Sequence, residues 1–227
     1  MRTRTVFRML FLFSIPISLP LSNGCNSALE ANSNLNARNL EATTISIDQF
    51  PVQNVSDAET DGLIFMREEE KLARDVYKTL YTHWTVRVFN NIPRSEQRHM
   101  DAIKLLLDRY ELEDPVETDS IGVFKNETLQ ELYATLIEQG SASLVEALKV
   151  GALIEEIDIL DLQRELDNNV DNQDITYVYE NLMKGSRNHL RAFVRNLSRQ
   201  GVEYAPQKMS EEQYLEIINS DRERGRR

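Results

Sequence analysis

Residues 93–107 read Pro-Arg-Ser-Glu-Gln-Arg-His-Met-Asp-Ala-Ile-Lys-Leu-Leu-Leu. Pro93 suits the first turn of a helix, where its missing N–H has no partner to lose and its φ is already helical. Apolar side chains recur at helical spacing through Ile92, Ile103, Leu106 and Leu107, and His99 falls on the same stripe. Glu96 stands three residues before His99, so one face carries both. A bundle helix that turns a carboxylate and an imidazole inward needs something to compensate them, because an unpaired buried charge is costly. Glu-x-x-His on an inward face is the repeated element of dinuclear carboxylate sites in helical bundles. Acidic helices produce the spacing by chance. Its place on an apolar stripe is what gives it weight.

The flanking sequence is helical in both directions. Ser56 and Glu59 form a capping box that opens a first helix to about Trp84, with Leu63, Met66, Leu72, Ala73, Val76 and Leu80 inward. The second helix runs from Pro93 to near Tyr110, and Pro115 blocks continuation. Residues 111–125 read as loop, and a short helix over about 127–138 follows Asn126 and stops at Gly140. Ser143 with Glu146 opens a third long helix to about Leu166, turning in Leu144, Leu148, Ala152, Ile159 and Leu162. A fourth spans about 174–199, and Ser210 with Gln213 opens a final short helix to about Ser220. No strand pattern has comparable strength. The pattern predicts an all-α domain over 56–220, with four long helices in two antiparallel hairpins. The stretch of about 30 residues between the second and third helices, which contains the short helix, is long enough to cross the bundle. One long crossover is the ferritin-like arrangement.

Three more inward polar positions join Glu96 and His99. The first helix carries Glu68-Glu69-Glu70, of which at least one is expected to face solvent. Glu69 aligns with Met66, Leu72 and Val76, and Glu70 with Met66, Ala73 and Tyr77, so periodicity does not choose between them. On the third helix Glu155 shares the stripe of Leu148, Ala152, Ile159 and Leu162, while Glu156 is offset by about 100°. Asp158, one turn beyond Glu155, is placed to act as a supporting group or an extra ligand. On the fourth helix His189 lies in the stripe of Leu182, Ala192 and Phe193. An inward histidine is commonly a satisfied core residue. Two of the chain's three histidines on inward faces, opposite inward glutamates of other helices, point instead to a metal site. The third, His83, reads as surface.

The ends carry different signals. Residues 1–24 combine Arg2, Arg4 and Arg8 with a short apolar stretch broken by Pro16 and Pro20, the pattern of a secretory signal peptide. Leu21-Ser22-Asn23-Gly24-Cys25 resembles a bacterial lipoprotein cleavage box, which makes Cys25, the chain's one cysteine, the expected lipidation site. The expected location is periplasm, outer membrane or cell surface, with membrane contact only through that anchor. Residues 25–55, rich in Asn, Ser and Ala, read as a flexible tether, and 221–227 as a basic tail. The chain has 227 residues, with 26 Lys and Arg against 37 Asp and Glu and a net charge of −11. Loss of residues 1–24 removes three arginines and no acid, taking the charge from −11 to −14. Such a balance argues against nucleic acid as a partner.

The segments EEEKLARDVY, SEQRHMDA, GALIEEIDILDL and GSRNHLRAF, in that order, resemble the ferritin-like family called domain of unknown function 2202, over about residues 56–218. The resemblance implies a ferritin-like four-helix bundle with a di-metal centre. In the wider superfamily a first-helix Glu is followed by Ala at +3 and Tyr at +7, which Glu70, Ala73 and Tyr77 match. The resemblance therefore favours Glu70 over Glu69. It implies Glu96 and His99 as the first Glu-x-x-His and Glu155 or Glu156 as the third-helix ligand. His189 matches the fourth helix, but Ser186 stands where a second Glu is expected, and serine is a poor ligand for Fe²⁺ or Mn²⁺.

Two functions follow as expectations. One is a di-iron oxidoreductase acting on O₂ or peroxide. Glu70, Glu96, His99, Glu155 and His189 would hold the iron, or manganese in its place, and Tyr77 would hydrogen-bond a ligand or pass an electron. The alternative is a non-enzymatic envelope bundle that binds metal or serves as a scaffold.

Overall fold

The computed structural model describes residues 47–223. The stretch read as a signal peptide, Cys25 and the expected tether as far as residue 46 lie outside the described residues, as do the last four residues of the chain. Among the described residues the fold is all-α. Four long helices dominate: α1 (Asp57–Trp84), α3 (Pro93–Arg109), α5 (Leu144–Asn168) and α6 (Gln173–Arg199). Three short ones complete it: α2 (Arg87–Asn91), α4 (Glu127–Ser141) and α7 (Glu211–Asn219). No described helix is long and apolar enough to cross a membrane.

Local chemistry sets the helix starts. Ser56 and Glu59 close a full capping box at α1, and Ser210 and Gln213 another at α7. Ser143 caps α5 through the amide of Glu146, and Asn126 caps α4 through the amide of Leu129. These side chains satisfy amides that a helix leaves unbonded in its first turn. α2 is an addition to the sequence reading. Its Val88 and Phe89 are buried, so the link between the first two long helices is itself part of the core.

Hydrogen bonds at the ends fix the helix directions. Glu59, at the start of α1, accepts from Asn172 N, at the start of α6, at 3.0 Å. Asp174, next to that point, accepts from Tyr110 Oη at 2.7 Å and pairs with Arg109 Nε at 2.9 Å, at the end of α3. Asn169, capping the end of α5, donates to Glu165. One end of the bundle therefore gathers the starts of α1 and α6 and the finishes of α3 and α5. α3 and α5 run in the same direction, and the chain between them must travel the bundle's length. α4 lies on that path. Trp84 Nε1, at the other end of α1, donates to Gly140 O of α4 at 2.9 Å.

Three sequence expectations are corrected here. α4 does not stop at Gly140 but runs through it to Ser141. A Cβ on Gly140 would come within 2.7 Å of Leu80, so this glycine permits close packing and does not break the helix. The tether ends earlier than residue 55. Ile47 is buried in the core cluster, and Arg109 binds Asp48 Oδ1 at 3.0 Å and Phe50 O at 2.7 Å. Within the basic tail, Glu223 is paired to Arg187 and Arg191, holding the chain's last described residues against α6.

The crossover is anchored by buried charge. Lys71, Arg74 and Asp75 on α1 are all fully buried. Asp75 accepts from Lys71 Nζ at 2.6 Å, Arg74 Nε at 3.0 Å and Gly122 N at 3.0 Å. Lys71 also donates to Ser120 O and Val123 O, and its ammonium lies 4.6 Å from the centre of the Phe124 ring. None of Glu68, Glu69 and Glu70 faces solvent, contrary to the expectation for an acidic run. Glu68 accepts from Lys125 N at 2.6 Å and Asn126 N at 3.0 Å, which secures the start of α4. The crossover covers this face of α1, so a run that reads as a wetted surface becomes an interior one.

Candidate metal centre

Each long helix delivers its side chains to one buried point. Glu70 comes from α1, Glu96 and His99 from α3, Glu155 from α5 and His189 from α6. The three carboxylates are buried, 2% exposed each. His99 Nδ1 lies 3.1 Å from Glu70 Oε2 and 2.9 Å from Glu96 Oε2. His189 Nδ1 lies 2.9 Å from Glu96 Oε1 and 3.5 Å from Glu155 Oε2. The two oxygens of Glu96 thus serve the two imidazoles separately. The arrangement is two half-sites, Glu70–Glu96–His99 and Glu96–Glu155–His189, sharing one carboxylate. Within each, three donor atoms lie within 4.8 Å of one another. The imidazole rings stack, with centroids 5.7 Å apart and planes 25° from parallel.

Several donor atoms have nothing to bond. Glu70 Oε1, Glu96 Oε1, His189 Nδ1 and Asp158 Oδ1 are buried without a hydrogen-bond partner. Glu96 Oε1 and His189 Nδ1 are close, yet not aligned for an N–H···O bond. An orphaned buried polar atom costs about 1–3 kcal/mol, and more when charged. Cations within the half-sites would serve the glutamate and histidine atoms among them, and the mixed carboxylate and imidazole set suits iron or manganese. The residues present therefore fit a pair of such ions.

The remaining candidates separate cleanly. Tyr77 Oη donates to Glu155 Oε1 at 2.5 Å and also contacts Gly151 O at 3.3 Å. Burial, and then the charge of Glu155, pushes the Tyr77 phenol well up, so it stays a donor. Tyr77 therefore orients Glu155. Its ring packs on Phe193 and Phe89. Glu156 is no ligand. It accepts from Tyr204 Oη and from the amides of Gln207, Lys208 and Met209, fastening the 204–209 loop. Glu69 belongs to neither half-site. Ser186 Oγ, where a carboxylate was expected, donates to Asp158 Oδ2. The other oxygen of Asp158, Oδ1, has no hydrogen-bond partner, and burial, with the charges of Glu70 and Glu155 adding to it, pushes the Asp158 carboxyl well up. The serine of α6 thus holds a carboxylate of α5. Its position one turn past Glu155 was the available signal.

A family model described as an uncharacterized protein domain, DUF2202, matches residues 59–221. The chain belongs to the DUF2202 family. All five half-site residues lie inside the matched DUF2202 region. The uncharacterized protein MJ0754 of Methanocaldococcus jannaschii is 59% identical over 179 residues, covering 79% of this chain and 96% of that one. The crystal structure of hypothetical protein MJ0754 from Methanococcus jannaschii DSM 2661 is similar with a TM-score of 0.75 at 59% identity, covering 76% of this chain and 98% of that one.

The candidate centre depends on a glycine that carries no donor atom. A Cβ at Gly185 of α6 would lie 2.6 Å from His99 Nε2, closer than side chains approach. Gly185→Ala is expected to push His99 off its two glutamates and weaken the first half-site about 10- to 100-fold, as losses of supporting groups do in metal sites. A Mn²⁺ titration followed by electron paramagnetic resonance checks this. Unchanged affinity would show that His99 is not held in a ligating pose.

Charge in the candidate centre is tightly balanced. Burial disfavours charge on His189, but Glu96 and Glu155 outweigh it and push the imidazolium up to about 10. Burial raises Glu155 to about 7, with His189 opposing. Glu96 is held down to about 2, because the two histidines overcome its burial. Glu155 and His189 both bind protons more tightly folded than unfolded. Their stabilisation is present at low pH and is lost as pH rises, for Glu155 between 4.5 and about 7 and for His189 between 6.5 and about 10. The metal-free chain is expected to lose thermal stability steadily from about pH 5 to about pH 10. Metal binding displaces these protons, so the stabilisation by Mn²⁺ should widen over the same range. Thermal unfolding in chelator and in Mn²⁺ measures both, and a metal-free Tm that climbed with pH would contradict the assignment.

Proposed function

We propose that this chain is a ferritin-like metal-binding protein whose centre holds a pair of iron ions, or manganese in their place, and acts as an oxidoreductase on O₂ or peroxide. The observation that carries the reading is the shared carboxylate: Glu96 faces one imidazole with each oxygen, and each imidazole faces a further glutamate. Glu96 would bridge, Glu70 and Glu155 would close the two ends, and His99 and His189 would each serve one metal. Asp158 would add the carboxylate that Ser186 lacks. Iron bound there supplies one-electron redox chemistry. The chain's own part is to hold that site in place. Tyr77 fixes Glu155 by donating a hydrogen bond to Oε1, and the ring of Phe193 packs against that of Tyr77. Export and lipid attachment through Cys25 belong to the same proposal.

The test is metal content and turnover together. The chain from residue 26 onward, given Fe²⁺ in air, is expected to hold about two irons and to consume O₂. O₂ uptake no greater than that of a Glu96→Ala/His189→Ala variant would reject the oxidoreductase. Ser186 favours a second reading, a non-enzymatic metal-binding bundle. Bound metal without turnover would establish it.

A further inference from the structure

The two sides of α6 differ in charge. Its inward stripe, Leu182, Ser186, His189 and Phe193, is buried. On the opposite side Lys184, Arg187, Arg191, Arg195 and Arg199 recur every three or four residues, along about 22 Å of one helix face. No Asp or Glu stands anywhere from residue 181 to residue 199, in a chain whose net charge is −11. The stretch after α7 is fastened onto this face. Arg191 donates from Nε to Ile217 O at 2.8 Å and from Nη2 to Ser220 Oγ at 2.6 Å. Asn188 grips the backbone of Glu223, donating to its O at 2.9 Å and accepting from its N at 3.1 Å. The Glu223 carboxylate pairs with Arg187 and Arg191.

Glu223 thus uses two of the five cations. Arg195 and Arg199 remain exposed, as does Arg222 beside Asp221, and none of the three arginines has a hydrogen bond or ion pair among the described residues. Beyond Glu223 the sequence continues Arg224-Gly225-Arg226-Arg227. A helix face that collects cations without counter-ions repels itself and draws an anionic partner. We propose that the outer face of α6, with residues 217–223 fastened to it, docks on an anionic phospholipid surface. A helix sets its cations along one line, which suits a plane of headgroups. The acidic remainder of the chain opposes a nucleic acid, whose phosphates would meet it as well. Each Lys or Arg close to an anionic leaflet adds about fivefold to affinity. One lipid chain anchors weakly unless a basic patch supports it, so the face would complete the attachment proposed at Cys25. That last link rests on the export reading; the docking itself does not, and it shares no residue with the candidate centre.

The chain from residue 26 onward holds every described residue and, starting after Cys25, carries no lipid. It is expected to sediment with vesicles of mixed phosphatidylglycerol and phosphatidylcholine at low ionic strength, to leave them at high salt, and to ignore vesicles of phosphatidylcholine alone. Arg195→Gln/Arg199→Gln should weaken the binding about tenfold or more, while Arg164→Gln on α5 should leave it unchanged. Mn²⁺ loading should be the same in all three chains. No binding to the anionic vesicles, equal binding to the neutral ones, or binding indifferent to the double substitution would overturn the proposal. Retention on heparin without vesicle binding would also overturn it, in favour of a soluble polyanion. Vesicle binding by a chain that takes up no metal would reject the dinuclear centre and keep this surface.

Discussion

Glu96→Ala is expected to remove both metals together. Glu96 is the one side chain common to the two half-sites, so its loss takes a ligand from each. Supporting groups alone are worth about 10- to 100-fold in metal affinity, and a shared ligand should cost at least about 100-fold. Metal per chain should fall from about two to well below one, and O₂ uptake should fall with it. Glu70→Ala and Glu155→Ala each touch one half-site and should leave about one metal bound. Elemental analysis after dialysis against Fe²⁺ or Mn²⁺ measures the series. A Glu96→Ala chain with the same content as Glu70→Ala would show that Glu96 does not bridge.

The largest loss of stability is expected away from the centre, at Asp75. It is the common acceptor for Lys71, Arg74 and the Gly122 amide, and all three charged side chains are fully buried. Asp75→Ala strands two interior cations. Breaking a buried ion pair from one side costs about 3–5 kcal/mol, because the remaining charge is uncompensated. Arg74 keeps Asp119 and Gln97, while Lys71 keeps only backbone carbonyls, so Lys71 carries most of the cost. For a domain of this size the drop in Tm should be on the order of 10 °C. The crossover should loosen first, since Lys71 and Asp75 are what bind residues 120–123 to α1. Thermal unfolding of the metal-free chain together with hydrogen exchange at Gly122 and Val123 checks both parts. A Tm within about 2 °C of the unaltered chain would mean the network contributes little.

Much of the fold was legible because the signals are local. The four long helices follow from apolar periodicity, and the caps at Ser56, Ser143 and Ser210 act within three residues. Glu96 and His99 were legible for the same reason, since their spacing and stripe belong to one helix. The acidic run at 68–70 was misread because helical periodicity describes one helix and not its cover. The crossover buries that face, and the glutamates then meet different partners: the start of α4 for Glu68 and His99 for Glu70. Glu156 shows the same limit, since its partners lie about 50 residues downstream in a loop with no periodicity.

By itself the sequence determined the all-α class, the helix starts, the long connection between the second and third helices, and four inward donors, Glu96, His99, Glu155 and His189, on three helices. Those are matters of spacing and capping, which act over a few residues. Tertiary structure decided how the donors are shared. Only with α3 set between the partners does Glu96 give one oxygen to each imidazole. Only with α5 against α6 does Ser186 hold Asp158. Distances between helices depend on how whole faces pack, and no single helix's sequence encodes the face it will meet.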